Sequence, residues 1–397
     1  MNRTYLFLFF LIFLLFSACQ KEPTNTENST DDVSQATFTA NPQPVPEQNV
    51  PTLPVGSKAP DFNLPGTDGK FHKLGDYDDS DVLAIIFTCN HCPTAQAYED
   101  RIISIVNDYK DESFTLIGIS PNSPISLLFE ELGYTELGDT YEEMQIRVKD
   151  KGYNFDYLYD GDDHAVSMKY GPVATPHAYV FDKDRILRYV GRLDNSEKPG
   201  SANAEDLRNA IDAVIAGEEV ELPETKTFGC SVKWAWKDEY KDKVNNDWAN
   251  AEVTLENIDE AGIAALLKNE DSDKLRLINV WATWCGPCVL EYPEFIEIHR
   301  MYMGRDFEFV SISADREEHK DKALEFLQKS ESPVKNYIFT NEDRSALTNA
   351  FAEFKGALPF TILVEPGGKV VTAINGTIDP LELKKTIVEH PMIGRYY

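Results

Sequence analysis

Apolar positions along the chain follow two periods, one typical of buried strands and one typical of amphipathic helices. Runs that are wholly or mostly apolar predict strands at 82–87, 114–120, 275–280 and 307–313. Helical spacing of apolar residues follows the first and the third of these runs and predicts helices at 93–109 and 289–303. Because strands and helices alternate, the pattern predicts mixed β-sheets with helices on both faces.

The same order of elements occurs twice along the chain. In each half a proline precedes another apolar strand, and a hairpin partner and a last helix follow, at 174–182, 186–193 and 203–217 and again at 357–365, 369–376 and 379–390. We therefore expect an α/β protein with two tandem domains of one plan, at 55–218 and 251–397. The acidic stretch 219–250 is the expected connector.

The first 18 residues form a secretory signal pattern, with an apolar core and small residues directly before Cys19. The end of this segment resembles the lipobox of bacterial lipoproteins, which implies that Cys19 is acylated. An uncleaved membrane anchor is the alternative, although the apolar run is shorter than the roughly 20 residues that span a bilayer. Residues 19–54 are polar and rich in Pro, Asn and Thr, so we expect a flexible tether.

The net charge of the chain limits the kinds of molecule that it can bind. The formal net charge is −29, which excludes nucleic acid because binding to phosphates requires an excess of Lys and Arg. Acidity of this size favours solubility and repulsion from anionic lipid heads, and it identifies no substrate.

Two pairs of cysteines at CxxC spacing lie between a predicted strand and a predicted helix, Cys89 with Cys92 and Cys285 with Cys288. Disulfide exchange needs an attacking thiolate, a resolving thiol nearby and an environment that lowers the pKa of the first. We expect Cys89 and Cys285 to lie at helix N-termini, where unpaired N–H groups favour the thiolate. Cys92 and Cys288 are the expected resolving thiols, and a structural disulfide is the alternative for each pair.

The residues between the cysteines differ in the two pairs. Gly286 and Pro287 separate the second pair, whereas His91 lies within the first. A protonated imidazole beside Cys89 stabilises the thiolate and therefore the dithiol form. We predict that the first pair is the more oxidising of the two.

The second half resembles thioredoxin, through the sequence WCGPC that begins at Trp284 and the order of elements around it. Residues 250–397 as a whole resemble the envelope thioredoxins of the TlpA/ResA type. Glu291 matches the C-x-x-E-x-P signature of that branch, and Pro293 matches a proline that kinks the active-site helix. The resemblance implies a thioredoxin-like domain with protein thiols as substrates.

The first half is similar to CxxC redoxins of the peroxiredoxin-like AhpC-TSA superfamily. The similarity covers residues 55–235 and is carried by a hairpin turn at 65–70, the CNHCP sequence, and FGCSVKW at 228–234. The two resemblances together imply two tandem thioredoxin-like domains, with no bound cofactor and no metal.

The resemblance also implies cis peptide bonds at Pro176 and Pro359, each directly before a predicted strand. Such a bond turns the preceding backbone towards the CxxC, so that Thr175 and Leu358 offer edge hydrogen bonds to an extended substrate. Two ordinary prolines at strand starts are the alternative.

Alternatives stay open for several residues near these sites. Trp284 is either a contact platform for substrates or a packing residue, and Glu291 is either a proton relay towards Cys288 or a solvated helix residue. Cys230 has no partner at CxxC spacing, which favours a buried or spare thiol over a third reactive cysteine that resolves disulfides at Cys89. In the connector, we expect three tryptophans to pack between the domains, namely Trp234, Trp236 and Trp248.

The leading functional hypothesis is a thiol:disulfide oxidoreductase tethered to a membrane in a bacterial cell envelope, facing the periplasm or the outside. Its expected partners are protein thiols and disulfides, such as those of apocytochrome c, and a membrane electron donor. A thiol peroxidase is the first alternative, although Cys89 has neither the upstream Pro of the peroxiredoxin frame nor a Ser or Thr three positions before it. A copper chaperone is the second, since thiolates and His suit copper; His164 and His177 are candidate ligands by residue type alone.

Overall fold

The computed structural model describes residues 38–132, 137–198 and 200–393. The predicted signal segment and the predicted acylation site Cys19 lie outside the described residues. Within the described ranges, the helices are all too short or too polar to cross a membrane.

The first half forms a five-stranded mixed sheet around the first predicted strand. The strands of this half, including those of two small two-stranded sheets, are β1 (Asn63–Pro65), β2 (Phe71–Lys73), β3 (Val82–Phe87), β4 (Phe114–Ser120), β5 (Asp156–Tyr159), β6 (Ala174–Thr175), β7 (His177–Phe181), β8 (Leu187–Gly191) and β9 (Cys230–Ser231). The order in the main sheet is β5-β4-β3-β7-β8, with β3, β4 and β5 parallel and with β7 and β8 antiparallel. The predicted hairpin at 65–70 joins β1 to β2.

Helices cover both faces of this sheet. They are α1 (Pro93–Asp108), α2 (Tyr141–Lys151), α3 (Ser167–Tyr170) and α4 (Glu205–Ala216), and α5 (Asp238–Ala249) follows them. Alternate residues of β3 enter two separate cores, because successive side chains of a strand point to opposite faces: Leu83, Ile85 and Phe87 on one side, Val82, Ala84 and Ile86 on the other. Burial on both faces explains why the β3 sequence is apolar throughout.

The second half repeats the plan with one extra strand. Its elements are β10 (Glu256–Ile258), α6 (Glu260–Lys268), β11 (Leu275–Trp281), α7 (Gly286–Tyr302), β12 (Phe307–Ser313), α8 (Lys320–Lys329), β13 (Lys335–Phe339), α9 (Ala346–Ala350), β14 (Phe360–Val364), β15 (Val370–Asn375) and α10 (Pro380–Val388). The sheet order is β10-β13-β12-β11-β14-β15, and the last two strands are antiparallel to their neighbours. Two mixed sheets flanked by helices confirm the predicted fold class.

The segments before and after the predicted first domain pack against it, which their sequence did not indicate. Residues 38–54 carry no helix or strand, yet Phe38 packs edge-on against Tyr141, and Leu53 N–H donates to Tyr170 O. In the predicted connector, Thr225 N–H donates to Val190 O of β8, and β9 pairs with β6. Both segments complete the first domain, so the predicted limits at 54 and 218 are wrong as structural boundaries.

The connector tryptophans pack against different domains. Trp234 and Trp236 stack with ring centroids 5.1 Å apart, and Trp234 also packs on His164 of the first domain. Trp248 lies on α5 and packs against the core of the second domain. The guanidinium of Arg300, a second-domain residue, lies over the Trp248 ring and also binds Glu130 of the first domain. Of the three tryptophans, Trp248 is therefore the one that meets the expectation of packing between domains.

Candidate active sites at the two CxxC motifs

The second CxxC lies at the junction of β11 and α7. The helix begins at Gly286 with Cys285 at its N-cap, and Cys288 N–H donates to Cys285 Sγ at 3.3 Å. Cys285 and Cys288 form a disulfide. The expected position of Cys285 at a helix N-terminus is confirmed, and in the dithiol form the free N–H groups of the first turn favour its thiolate.

Two large apolar side chains close to Cys285 in the sequence are exposed. Trp284 is 65% exposed and Leu290 is 83% exposed, although Cys285 itself is buried. The bond between Leu358 and Pro359 is cis, as predicted, and Leu358 takes part in none of the strand pairings found in the described residues. The exposure of Trp284 argues against the alternative that it is a packing residue. The backbone before Pro359 is available to pair with another strand.

Glu291 lies three residues after Cys288, on the same face of α7. The side chain is buried, its Oε2 accepts a hydrogen bond from Ile378 N–H at 3.0 Å, and its Oε1 is buried without a partner among the described residues. Burial raises the pKa of this carboxyl to about 7. The alternative of a solvated helix residue is therefore wrong.

The first CxxC has a different local geometry. Helix α1 begins at Pro93 and Cys92 is its N-cap, whereas Cys89 lies three residues earlier in the loop after β3. The expectation that Cys89 sits at the helix N-terminus is wrong. Pro93 favours the first helical position because it lacks an N–H and its φ is already helical, so the helix starts after the second cysteine.

The pKa values of the two thiols in the first site are shifted in opposite directions by their surroundings. Burial raises the pKa of Cys89, and its hydrogen bond to Cys92 and the nearby Asp139 carboxylate raise it further. Burial also opposes the charged form of Cys92, yet hydrogen bonds from Cys230 and Cys89 and the charge of His91 hold the pKa of Cys92 well below its usual range. Cys92, the expected resolving thiol, is the sulfur that this site favours as thiolate.

His91 is paired with a carboxylate that lies far from it in the sequence. Its Nδ1 lies 2.6 Å from Asp139 Oδ2, and both side chains are buried. Burial lowers the pKa of His91, but the charge of Asp139, its hydrogen bond and the charge of Cys92 together raise it more, so the net shift is upward. Asp139 also accepts hydrogen bonds from Asn90 N–H and Asn122 Nδ2. The loop that carries Asp139 has no recognisable motif, so only the fold brings it to the CxxC.

One group of potential metal ligands is present in the described part of the chain. One ligand atom from each of Cys89, His91 and Asp139 lies within 4.8 Å of the others. Both Asp139 oxygens already accept hydrogen bonds, which makes this carboxylate a partner of His91 rather than a free ligand. Neither of the proposed copper ligands belongs to the group, since His164 binds Pro121 O and Ala235 N–H through its two ring nitrogens, and His177 lies on β7.

The bond before Pro176 is cis as predicted, but the edge beside it is occupied. Strand β9 pairs antiparallel with β6, so that Thr175 is opposite Cys230. Thr175 Oγ1 lies 3.0 Å from Cys89 Sγ. The expectation that Thr175 offers its backbone to a substrate is therefore wrong for this conformation, because a segment of the same chain already lies there.

Cys230 joins the first site from 138 positions beyond Cys92. Its backbone N–H donates to Cys92 Sγ at 3.3 Å, and its thiol also hydrogen-bonds that sulfur. A buried or spare thiol was the favoured prediction for Cys230, and the structure places this thiol beside Cys92. The sequence carried no spacing signal for the contact because the pairing of two two-residue strands creates it.

Two family models match the chain, the AhpC/TSA family at residues 55–190 and Redoxin at residues 249–387. The chain is similar to the thiol-disulfide oxidoreductase ResA of Geobacillus thermodenitrificans, with 28% identity over 27% of this chain and 58% of that protein. It is also similar to a thioredoxin of Coprinus comatus, with 32% identity over 19% of this chain and 70% of that protein.

A solved structure of an uncharacterized conserved protein from Geobacillus kaustophilus is 32% identical, covers 46% of this chain and 92% of that chain, and has a TM-score of 0.41. The chain spans little more than half the length of the first ResA relatives it matches. On the two family models and the thioredoxin match, the chain belongs to the thioredoxin superfamily and carries one AhpC/TSA domain and one redoxin domain.

Proposed function

We propose that the protein is a thiol:disulfide oxidoreductase that exchanges disulfides with cysteines of other proteins through its second CxxC. The observation that carries this proposal is the Cys285–Cys288 disulfide at the N-terminus of α7, beside a cis proline and an exposed apolar surface. Curated relatives named thiol-disulfide oxidoreductase support it.

The reducing direction takes two exchange steps. The Cys285 thiolate attacks one sulfur of a client disulfide; a mixed disulfide forms, the client S–S bond breaks, and the leaving client sulfur takes up a proton. Cys288 then loses its proton and attacks Cys285 Sγ, which forms the observed disulfide and releases the second client thiol. Two electrons pass to the client, and the reverse sequence oxidises it.

Glu291 suits the proton transfer in the second step. A carboxyl with a pKa of about 7 exchanges a proton readily at neutral pH. Its unpartnered Oε1 and its place one helical turn after Cys288 make it the proton acceptor when Cys288 attacks.

A protein client fits the surroundings of Cys285 better than a small molecule. Trp284 and Leu290 together present an exposed apolar surface, which soluble proteins rarely leave uncovered except at interaction sites. The unpaired backbone at Leu358 can add a client segment as an extended strand.

The proposal includes a membrane-tethered location in the cell envelope, with the two CxxC sites exchanging electrons with separate partners. It rests on the signal pattern, on the lipobox resemblance at Cys19, and on the need for a reductant outside the cytosol. Purified envelope fractions of cells that express the natural chain and Cys19→Ala test it. We expect the Ala variant to leave the membrane fraction; an unchanged membrane fraction would remove the anchor.

The activity itself is tested by trapping. A Cys288→Ser variant cannot resolve the mixed disulfide, so we expect it to retain client proteins through Cys285 in a form released by dithiothreitol. Cys285→Ser/Cys288→Ser is the matched control and should retain none. Equal recovery of clients from both variants would overturn the proposed function.

A further inference from the structure

Three sulfur atoms of the first domain lie in one cluster. Cys89, Cys92 and Cys230 pack together around Ala95, and the Cys92 thiol group contacts both of the others. The cluster thus offers two alternative disulfides that share Cys92.

The position of Cys230 is fixed by backbone as well as by sulfur contacts. Strand β9 pairs with β6 and places Cys230 opposite Thr175, directly before the cis proline. Gly229 lies so close to this edge that a Cβ there would be 2.0 Å from Thr175 O, and its φ of +139° is one that other residues rarely adopt. The segment is therefore built to approach Thr175 closely.

The backbone edge at Thr175 in the first domain corresponds to the unpaired backbone edge at Leu358 in the second domain. There the backbone before Pro359 is unpaired, whereas here the chain's own strand covers it. Cys230 occupies the place in the first domain that a client strand is proposed to occupy in the second.

Exposure also differs among the three thiols. Cys89 is 2% exposed and Cys92 is fully buried, while Cys230 is only partly buried. An external partner therefore reaches Cys230 more readily than either cysteine of the CxxC.

We propose that Cys230 is a third redox-active cysteine, held on β9 as a built-in substrate, and that it exchanges with the Cys89–Cys92 disulfide to form a Cys92–Cys230 disulfide. In this step the Cys230 sulfur loses its proton and bonds to Cys92 Sγ, the Cys89–Cys92 bond breaks, and Cys89 takes up the proton. No electrons are gained or lost. The oxidant that forms Cys89–Cys92 is an external disulfide, which becomes two thiols, so the exchange does not depend on the activity proposed for Cys285.

Disulfide mapping of the full chain tests the proposal. The protein is equilibrated with excess oxidised glutathione, quenched in acid, alkylated, digested without reduction and analysed by mass spectrometry. We expect peptides linked through Cys92–Cys230 as well as Cys89–Cys92. Cys89→Ser should convert the domain entirely to Cys92–Cys230, and Ser231→Ala, on the same strand, should resemble the natural chain.

The same chain supplies an internal standard, because Cys285–Cys288 reports whether oxidation was complete. If Cys89→Ser leaves Cys92 and Cys230 unlinked while Cys285–Cys288 is fully oxidised, the proposal is overturned; glutathione on Cys230 without any link to Cys92 would overturn it equally. Failure of client trapping at Cys285 would instead remove the proposed function and leave the internal exchange standing.

A second variant separates the strand from the sulfur chemistry. Gly229→Ala places a Cβ against Thr175 O, so we expect the Cys92–Cys230 fraction to fall at least fivefold while Cys89–Cys92 remains. Gly304→Ala is the control, because a Cβ there meets no atom within 4 Å. An unchanged Cys92–Cys230 fraction in Gly229→Ala would contradict the role of β9.

Discussion

The two CxxC motifs have the same spacing but give their cysteines different surroundings. Cys285 caps α7 and lies under an open surface, whereas Cys92 caps α1 and is enclosed with Cys89, His91 and other polar side chains. The difference begins with one residue, because Pro93 starts α1 after the second cysteine of its motif. Spacing alone therefore does not decide which sulfur is the thiolate.

His91 controls the first site through Cys92. A charged imidazole stabilises the Cys92 thiolate and so the dithiol, which makes the site more oxidising. In a Cys230→Ser background, we expect His91→Ala to shift the Cys89/Cys92 midpoint to a more negative value, by about 30 mV for each tenfold loss of dithiol stability. Equilibration in glutathione buffers measures the shift.

Asp139→Asn should move the midpoint in the same direction, because it removes the charge that keeps His91 protonated. His319→Ala changes an exposed histidine of the second domain and should leave the midpoint unchanged. A shift to a more positive potential in either first-domain variant would contradict the assigned role of His91.

The buried carboxyl of Glu291 makes the second domain sensitive to pH. Its folded-state pKa of about 7 lies above the ordinary 4.5, so the stability it contributes is complete below about pH 4.5 and is lost as pH rises through 7. Between pH 4.5 and 8, Glu291→Gln should gain stability relative to the natural chain, by up to about 3 kcal/mol at about 1.4 kcal/mol per unit of pKa. Urea unfolding of the oxidised protein at several pH values measures the difference. Glu294→Gln, on the same helix, should follow the natural chain, and parallel pH curves for Glu291→Gln and the natural chain would contradict the prediction.

At the scale of elements, the sequence predicted the long strands and helices well. The run 82–87 is apolar throughout and the run 275–280 is mostly apolar, because both form central strands with both faces buried, and this pattern is visible without a structure. It could not reveal β6 and β9, since two-residue strands have no period of their own. The enclosure of the first site was missed for the same reason, because Asp139 and Cys230 reach it from segments with no motif.

The first turns of α7 form the proposed docking element. Leu290 is 83% exposed, so its loss costs little stability, and surface changes of this kind usually stay within about 0.5 kcal/mol. We expect Leu290→Asp to reduce kcat/KM for insulin disulfide reduction several-fold, mainly through KM, with an unchanged Tm. Leu381→Asp, an exposed leucine on α10, is the control. Equal activity of the two variants would argue against docking at α7.

At the scale of the whole molecule, the two domains meet at the end of α7 that is remote from its disulfide. Arg300 hydrogen-bonds Glu130 and lies over the rings of Phe129 and Trp248. Cys285 begins the same helix, and fifteen residues at 1.5 Å each place it about 22 Å from this contact. In the first domain, Glu131 follows Glu130 and binds Lys233, three residues after Cys230.

This arrangement predicts that the two dithiols react independently in the conformation described, because direct exchange requires sulfur atoms in contact. Cys89→Ser/Cys92→Ser should leave the rate of insulin reduction at the Cys285 site unchanged within about twofold. The midpoint potential of that site should stay within about 10 mV, a third of the roughly 30 mV that a tenfold effect produces. The reciprocal pair, Cys285→Ser/Cys288→Ser, should leave the distribution of first-domain disulfides as in the natural chain. A loss of insulin-reducing activity in the first variant would indicate instead that electrons pass between the sites.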